Sequence, residues 1–231
     1  MRFSKIELRD LAICWIALGL CFSIGVFFNK YGDPFTTTLM NFFAQLIAVL
    51  IVIGAGFILH ELAHKAVSQS YGCWAEFRIW KLGLIIAIAS AVLSFGTFLF
   101  FAPGAVHTLA TRDLTEKEKG FISAAGPVAN MALAVVFLGL FLLRHTWGNA
   151  GDIMLHFDIF GLSFKSYPYN IFTSLGALGF QLNLWLAAFN LIPFGPLDGA
   201  AVYHWSRPAW GILAALSWGV ILLMAFGVIN L

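Results

Sequence analysis

Charge is what this chain has least of. Asp, Glu, Lys and Arg make up 10% of its 231 residues while 61% are hydrophobic, against about 25% charged in ordinary soluble domains. So few charges cannot cover a water-soluble surface, and a soluble fold is excluded. The net charge of +2 gives no basic face for phosphates, so no nucleic-acid partner is expected. Cysteine is equally sparse: Cys14 and Cys21 fall in an apolar run and Cys73 in a polar link, which makes no disulfide framework. All three are read as reduced, small apolar residues. No internal repeat or low-complexity segment is visible, and the polar links are too short for a second soluble domain. The N-terminus lacks a small-x-small cleavage pattern after Arg2, Lys5, Arg9 and the run that follows, so that run is expected to stay as a membrane anchor.

What the chain has is long apolar runs. A helix of roughly 20 apolar residues crosses a bilayer, and six runs approach or reach that length: Leu11 to Phe28, Asn41 to Leu59, Leu82 to Ala102, Phe121 to Leu143, Ile171 to Ile192 and Trp210 to Ile229. The predicted fold class is an all-α polytopic membrane protein of about five to six transmembrane helices, with the lipid bilayer as solvent for most of the chain. It is predicted as one membrane-embedded domain over 1–231, with a core at about 41–203 between flanking helices 11–28 and 210–229.

The second run ends in His60-Glu61-Leu62-Ala63-His64, an HExxH pattern. Residues four apart share a helix face, so His60 and His64 can offer imidazoles to one Zn2+ ion, while Glu61 stands where it can take a proton from water. Five-residue patterns also arise by chance, but ionisable groups near a bilayer interior cost about 2.5–3.5 kcal/mol each and are seldom placed there without a role. Catalytic zinc takes a third protein ligand. Asp198 is the best candidate, since the other acids fall in terminal or linking segments; the alternative is a solvated helix-end residue. It closes Asn190-Leu191-Ile192-Pro193-Phe194-Gly195-Pro196-Leu197-Asp198-Gly199, where Pro and Gly free backbone groups from helix bonding, as membrane depth tolerates only beside protein or a watery cavity. Asn190 either donates to a substrate carbonyl or its oxyanion or makes an interhelical hydrogen bond. His107, His145, His156 and His204 are expected to be interfacial side chains. In Ala124-Ala125-Gly126-Pro127-Val128-Ala129-Asn130, Gly126 and Asn130 are expected to serve close helix packing.

HELAH, AAGPVAN and NLIPFGPLDG, in that order, resemble the site-2 protease family of intramembrane zinc metalloproteases, whose pattern is HExxH, then GxxxN, then NxxPxxxxDG. His60, Glu61, His64, Gly126, Asn130, Asn190, Pro193, Asp198 and Gly199 match it position by position, over about 41–203. The resemblance implies one zinc ion held by His60, His64 and Asp198, Glu61 as the catalytic carboxylate, and Asn190 near the substrate. Its implied substrates are single-span membrane proteins cut within the bilayer. Nothing in the sequence sets an oligomeric state.

Leu82 to Ala102 departs from a simple member. His60 and Asp198 each close an apolar run, so their helices must point the same way if both residues reach one ion, and a full extra crossing between them would prevent that. With a cytoplasmic N-terminus and re-entry at 82–102, ten Lys and Arg lie on the cytoplasmic side (Arg2, Lys5, Arg9, Lys65, Arg78, Lys81, Arg112, Lys117, Lys119, Arg207) and three (Lys30, Arg144, Lys165) on the other. A crossing gives eight against five, so the positive-inside rule favours re-entry. A multi-pass protein of the cell membrane is the expectation. An extended edge near Glu76–Trp80 or Pro103–His107 is expected to receive unwound substrate by strand addition. Two other classes use the same residues: a metal transporter or store, which gives Glu61 no task, and a catalytically silent substrate binder.

Overall fold

The computed structural model describes residues 3–24, 35–95, 103–143, 156–159, 162–165 and 171–228. The ends of three predicted runs (25–28, 96–102 and 229), with His145, lie outside them. The first helix, α1 (Lys5–Ser23), is capped by Ser4, whose hydroxyl accepts the Glu7 N–H at 3.1 Å. Next come α2 (Phe35–Ile53), a five-residue π-turn (Gly54–Ile58) and α3 (Leu59–Ser70). From Phe42 to Ser70 they form one rod of 29 residues, long and apolar enough to span a bilayer. The predicted polar link therefore begins later than Lys65.

The widened turn sits one residue before HExxH. π-Turns leave carbonyls without their usual partners and recur at functional sites. Here side chains from two other helices take up neighbouring carbonyls: the Trp15 indole of α1 donates to Leu50 O at 2.7 Å, and the Asn130 amide donates to Gly56 O at 3.1 Å.

After α3, β1 (Trp74–Ile79) and β2 (Gly104–Leu109) pair antiparallel from Trp74↔Leu109 to Ile79↔Gly104, with α4 (Lys81–Leu93) between them. Trp80 N–H donates to Pro103 O at 2.9 Å, so both ends of the 82–102 segment are pinned together. A segment that leaves and returns to one ladder cannot end on opposite faces of a membrane. The 13 residues of α4 reach about 20 Å, short of the roughly 30 Å hydrocarbon core. Re-entry is the topology this ladder fits.

The remaining elements are α5 (Glu116–Leu142), β3 (His156–Ile159) paired antiparallel with β4 (Leu162–Lys165), α6 (Ile171–Asn190), α7 (Asp198–Trp205) and α8 (Arg207–Ala225). A reciprocal Thr115/Glu118 capping box starts α5. Four helices among the described residues are long and apolar enough to cross: Phe42–Ser70, Glu116–Leu142, Phe172–Asn190 and Arg207–Ala225. They correspond to four of the six predicted runs. Of the other two, one lies between the paired strands β1 and β2 and the other extends past the described part of α1.

The fold is mostly helical, and among the described residues two short antiparallel strand pairs are its departure from all-α. Its centre is α6, with 72% of its apolar window buried against 11% for α8. A Cβ on Gly176 would stand 2.5 Å from the Phe141 backbone nitrogen, so α5 and α6 touch almost backbone to backbone, as small residues permit. This contact brings the α5 motif against the HExxH helix.

Candidate metal centre

Two elements deliver the predicted ligands. His60 and His64 stand one turn apart on α3, and Asp198 opens α7 after the irregular turn at 191–197. Asp198 therefore begins a helix, where the sequence suggested that it ends one. Its Oδ2 lies 3.3 Å from His60 Nε2 and 3.2 Å from His64 Nε2, and the two Nε2 atoms are 3.0 Å apart. All three residues are largely enclosed: His60 and His64 are buried, and the Asp198 side chain is 17% exposed.

The far side of each ring shows what these atoms present. His60 Nδ1 lies 2.6 Å from Asn130 Oδ1, and His64 Nδ1 lies 2.7 Å from Ile122 O. A backbone carbonyl can only accept, and the Asn130 NH2 is already donating to Gly56 O and to Asn183 Oδ1 at 2.9 Å. Both rings thus carry a proton on Nδ1, which in the neutral imidazole leaves each Nε2 lone pair for the space shared with Asp198. Three acceptors facing one another at 3.0–3.3 Å repel unless a cation lies among them. Tetrahedral ligands about 2.0–2.1 Å from zinc stand ~3.3 Å apart, so the cluster fits that ion. Among the described residues this is also where a His, Cys, Asp or Glu cluster able to hold a metal is found.

Gly126 makes the approach possible. A Cβ there would come within 2.3 Å of His64 Nε2 and 2.6 Å of His60 Nε2. The AAGPVAN segment was expected to be architectural, and the structure gives it closer work: Gly126 leaves room for both rings, and Asn130 orients one of them. Pro127, inside α5, cannot donate to the Ser123 carbonyl, next to the Ile122 carbonyl that orients the other ring. Gly199 acts similarly beside Asp198, since a Cβ would sit 2.3 Å from the Leu191 carbonyl. Pro193 lies exposed in the 191–197 turn, where it helps to end α6.

Glu61 is buried beside the rings and its Oε2 has no hydrogen-bond partner. The Val106 N–H of β2 is directed to its carboxylate. Together with His60, Glu61 lines a cavity walled by Phe57, Pro103, Leu186, Asn190 and Leu197. Asn190 is thus placed beside the site, but its NH2 donates to Leu186 O of its own helix at 3.0 Å. Of the other histidines, His204 is exposed in the last turn of α7 and His107 is exposed on β2.

Residues 48–205 match the profile of Peptidase family M50. The chain belongs to that family. The Methanocaldococcus jannaschii protein named "Putative zinc metalloprotease MJ0611" is 37% identical over 212 residues, 92% of this chain and 91% of that one. "Putative zinc metalloprotease YwhC" of Bacillus subtilis is 30% identical, covering 72% of this chain and 71% of its own length. "Putative zinc metalloprotease Rip2" of Mycolicibacterium smegmatis is 26% identical, covering 66% and 56%. No solved structure matches the chain. Family, relatives and donor set agree on a zinc peptidase of the site-2 type in a multi-pass membrane protein.

The sequence reading missed four things: the π-turn, the Ile122 carbonyl, Asn183 and the partner of Lys65. Lys65 is not a solvent-facing cation of the positive-inside count. It is 1% exposed and bonds both Glu7 oxygens, at 2.6 and 2.7 Å. Asn183 and Glu7 had a signal, a polar side chain in or beside an apolar run; a backbone carbonyl leaves none.

Proposed function

We propose that this M50 peptidase cuts single-span membrane proteins inside the bilayer, with His60, His64 and Asp198 as the zinc ligands and Glu61 as general base. The observation that carries the reading is the convergence of three lone pairs beside a buried, partnerless carboxylate oxygen. Zinc, when bound, supplies Lewis-acid activation of water near neutral pH. Glu61 takes the proton of the attacking water and passes it to the leaving amine. A membrane peptide hides its carbonyls in helix bonds, so it must unwind before cleavage, and helix-destabilising residues near the scissile bond are expected in substrates. Asn190 is the proposed donor to the substrate oxyanion, after its amide turns away from Leu186.

The two strand edges are not equivalent as docking sites. With Trp80 and Pro103 a bonded pair, alternation turns the N–H groups of Ala75, Phe77 and Ile79 outward on β1, and those of Gly104, Val106 and Thr108 outward on β2. On β1 two of the three are already taken, Phe77 by Glu7 Oε1 at 3.1 Å and Ile79 by Asp10 Oδ2 at 3.3 Å. On β2 the Val106 group faces Glu61. We therefore place the unwound substrate along β2, where strand addition brings its carbonyls to the carboxylate. The proposed orientation keeps the N-terminus cytoplasmic in the cell membrane, and residues 1–231 act as one domain.

The test is Glu61→Gln in purified protein, with zinc content and cleavage of a single-span peptide measured together. The protease reading expects zinc retained and turnover lowered by roughly 10²–10⁴-fold. Unchanged turnover would overturn it, and a transporter or store would show no cleavage in the parent protein either.

A further inference from the structure

Asn183 lies at the middle of α6, fully buried, and is outside the motifs that carry the family resemblance. Its NH2 donates to Gly179 O at 2.8 Å, which leaves Oδ1 as the atom facing Asn130. Oδ1 accepts the Asn130 NH2 at 2.9 Å, and Asn130 Oδ1 then faces His60 Nδ1 at 2.6 Å. A carbonyl that can only accept thus sets the direction of every hydrogen bond up to the imidazole. The second carbonyl on the chain, Gly56 O, belongs to the π-turn. A Cβ on Gly56 would stand 2.8 Å from Asn183 Oδ1, so that turn and this side chain are fitted to each other.

We propose that Asn183 is a positioning residue for the metal centre: by accepting from Asn130 it fixes the amide that holds the His60 ring with Nε2 toward Asp198. The inference rests on the zinc-site reading above but not on the cleavage reading, because it is tested by metal affinity. Groups that orient a metal-bound imidazole typically change affinity by 10–100-fold. At one further remove, about 10-fold is expected here.

The experiment uses the full chain in detergent. Zinc affinity is measured by chelator competition, with the absorption spectrum of the cobalt-loaded protein as a second readout. Asn183→Leu, which removes both hydrogen bonds, weakens zinc about 10-fold and shifts the cobalt bands. Asn183→Ser keeps a hydroxyl able to bond back to Gly179 O but is too short for Asn130; it gives the same loss and serves if the Leu variant does not fold. Asn183→Asp in its neutral form presents the same donor and acceptor order and restores affinity to within about 3-fold of the parent. Added to Asn130→Ala, either Leu or Ser causes no further loss. Affinity within 2-fold of the parent for the folded Leu or Ser variant, or losses that multiply with Asn130→Ala, would overturn the proposal. Loss of cleavage with affinity unchanged would overturn it too, while leaving the protease reading intact.

Discussion

Two buried polar clusters flank α3, and they are built on opposite plans. On the side of α1, Lys65 and Glu7 form a complete pair: the ammonium meets both carboxylate oxygens, and one of those oxygens also accepts the Phe77 N–H. On the side of α5 and α7, His60, His64 and Asp198 turn three lone pairs toward one another, and Glu61 leaves an oxygen unpartnered. Yet the residues are neighbours, Lys65 following His64. The closed cluster satisfies itself and ties α1 and β1 to the rod. The open one offers its lone pairs to a cation. Among buried ionisable groups, incompleteness marks chemistry and completeness marks architecture.

The comparison breaks most severely at the open cluster. Asp198→Ala removes one ligand; zinc should leave the purified protein and cleavage should fall by at least about 10³-fold, measured by metal analysis and peptide turnover, without rescue by added zinc. Gly126→Ala keeps every ligand but places a methyl where the rings stand. It should weaken zinc roughly 100-fold, measured by chelator competition.

The closed cluster should answer in stability instead. Lys65→Met strands a buried carboxylate and should cost about 3–5 kcal/mol, while the folded fraction still binds one zinc. Adding Glu7→Gln should recover most of that loss in a double-mutant unfolding cycle. If Lys65→Met emptied the metal site in protein that stays folded, the two clusters would be one system. The smallest effect belongs to Gly195, whose φ of 70° favours glycine. Gly195→Ala should cost about 1 kcal/mol and leave zinc bound, since the turn rather than the ligand takes the strain.

The difference between the clusters also separates what the sequence discloses from what it withholds. That His60, His64 and Asp198 come together was legible because HExxH encodes a helical face and because an acid among Pro and Gly at the end of an apolar run needs a reason. The re-entry at 82–102, which the β1–β2 ladder fits, was expected from parity, since two ligands on differently directed rods could not meet. The Lys65 pair was not, because a lysine just past an apolar run looks like an interfacial cation until α1 is seen packing against it. The π-turn was hidden because glycines in a helix specify looseness and not the direction of the widened turn. The orienting role of Asn130 depends on which neighbour its amide meets, and that is set by tertiary packing alone.

The account stands on a cation held among three lone pairs. Zinc analysis with X-ray absorption on the purified parent protein and on Asp198→Ala tests this most directly. The parent is predicted to carry one zinc per chain with two imidazoles and a carboxylate oxygen around it, and the variant to carry none. A folded parent that binds no zinc, or a variant that keeps zinc with its coordination unchanged, would contradict the account.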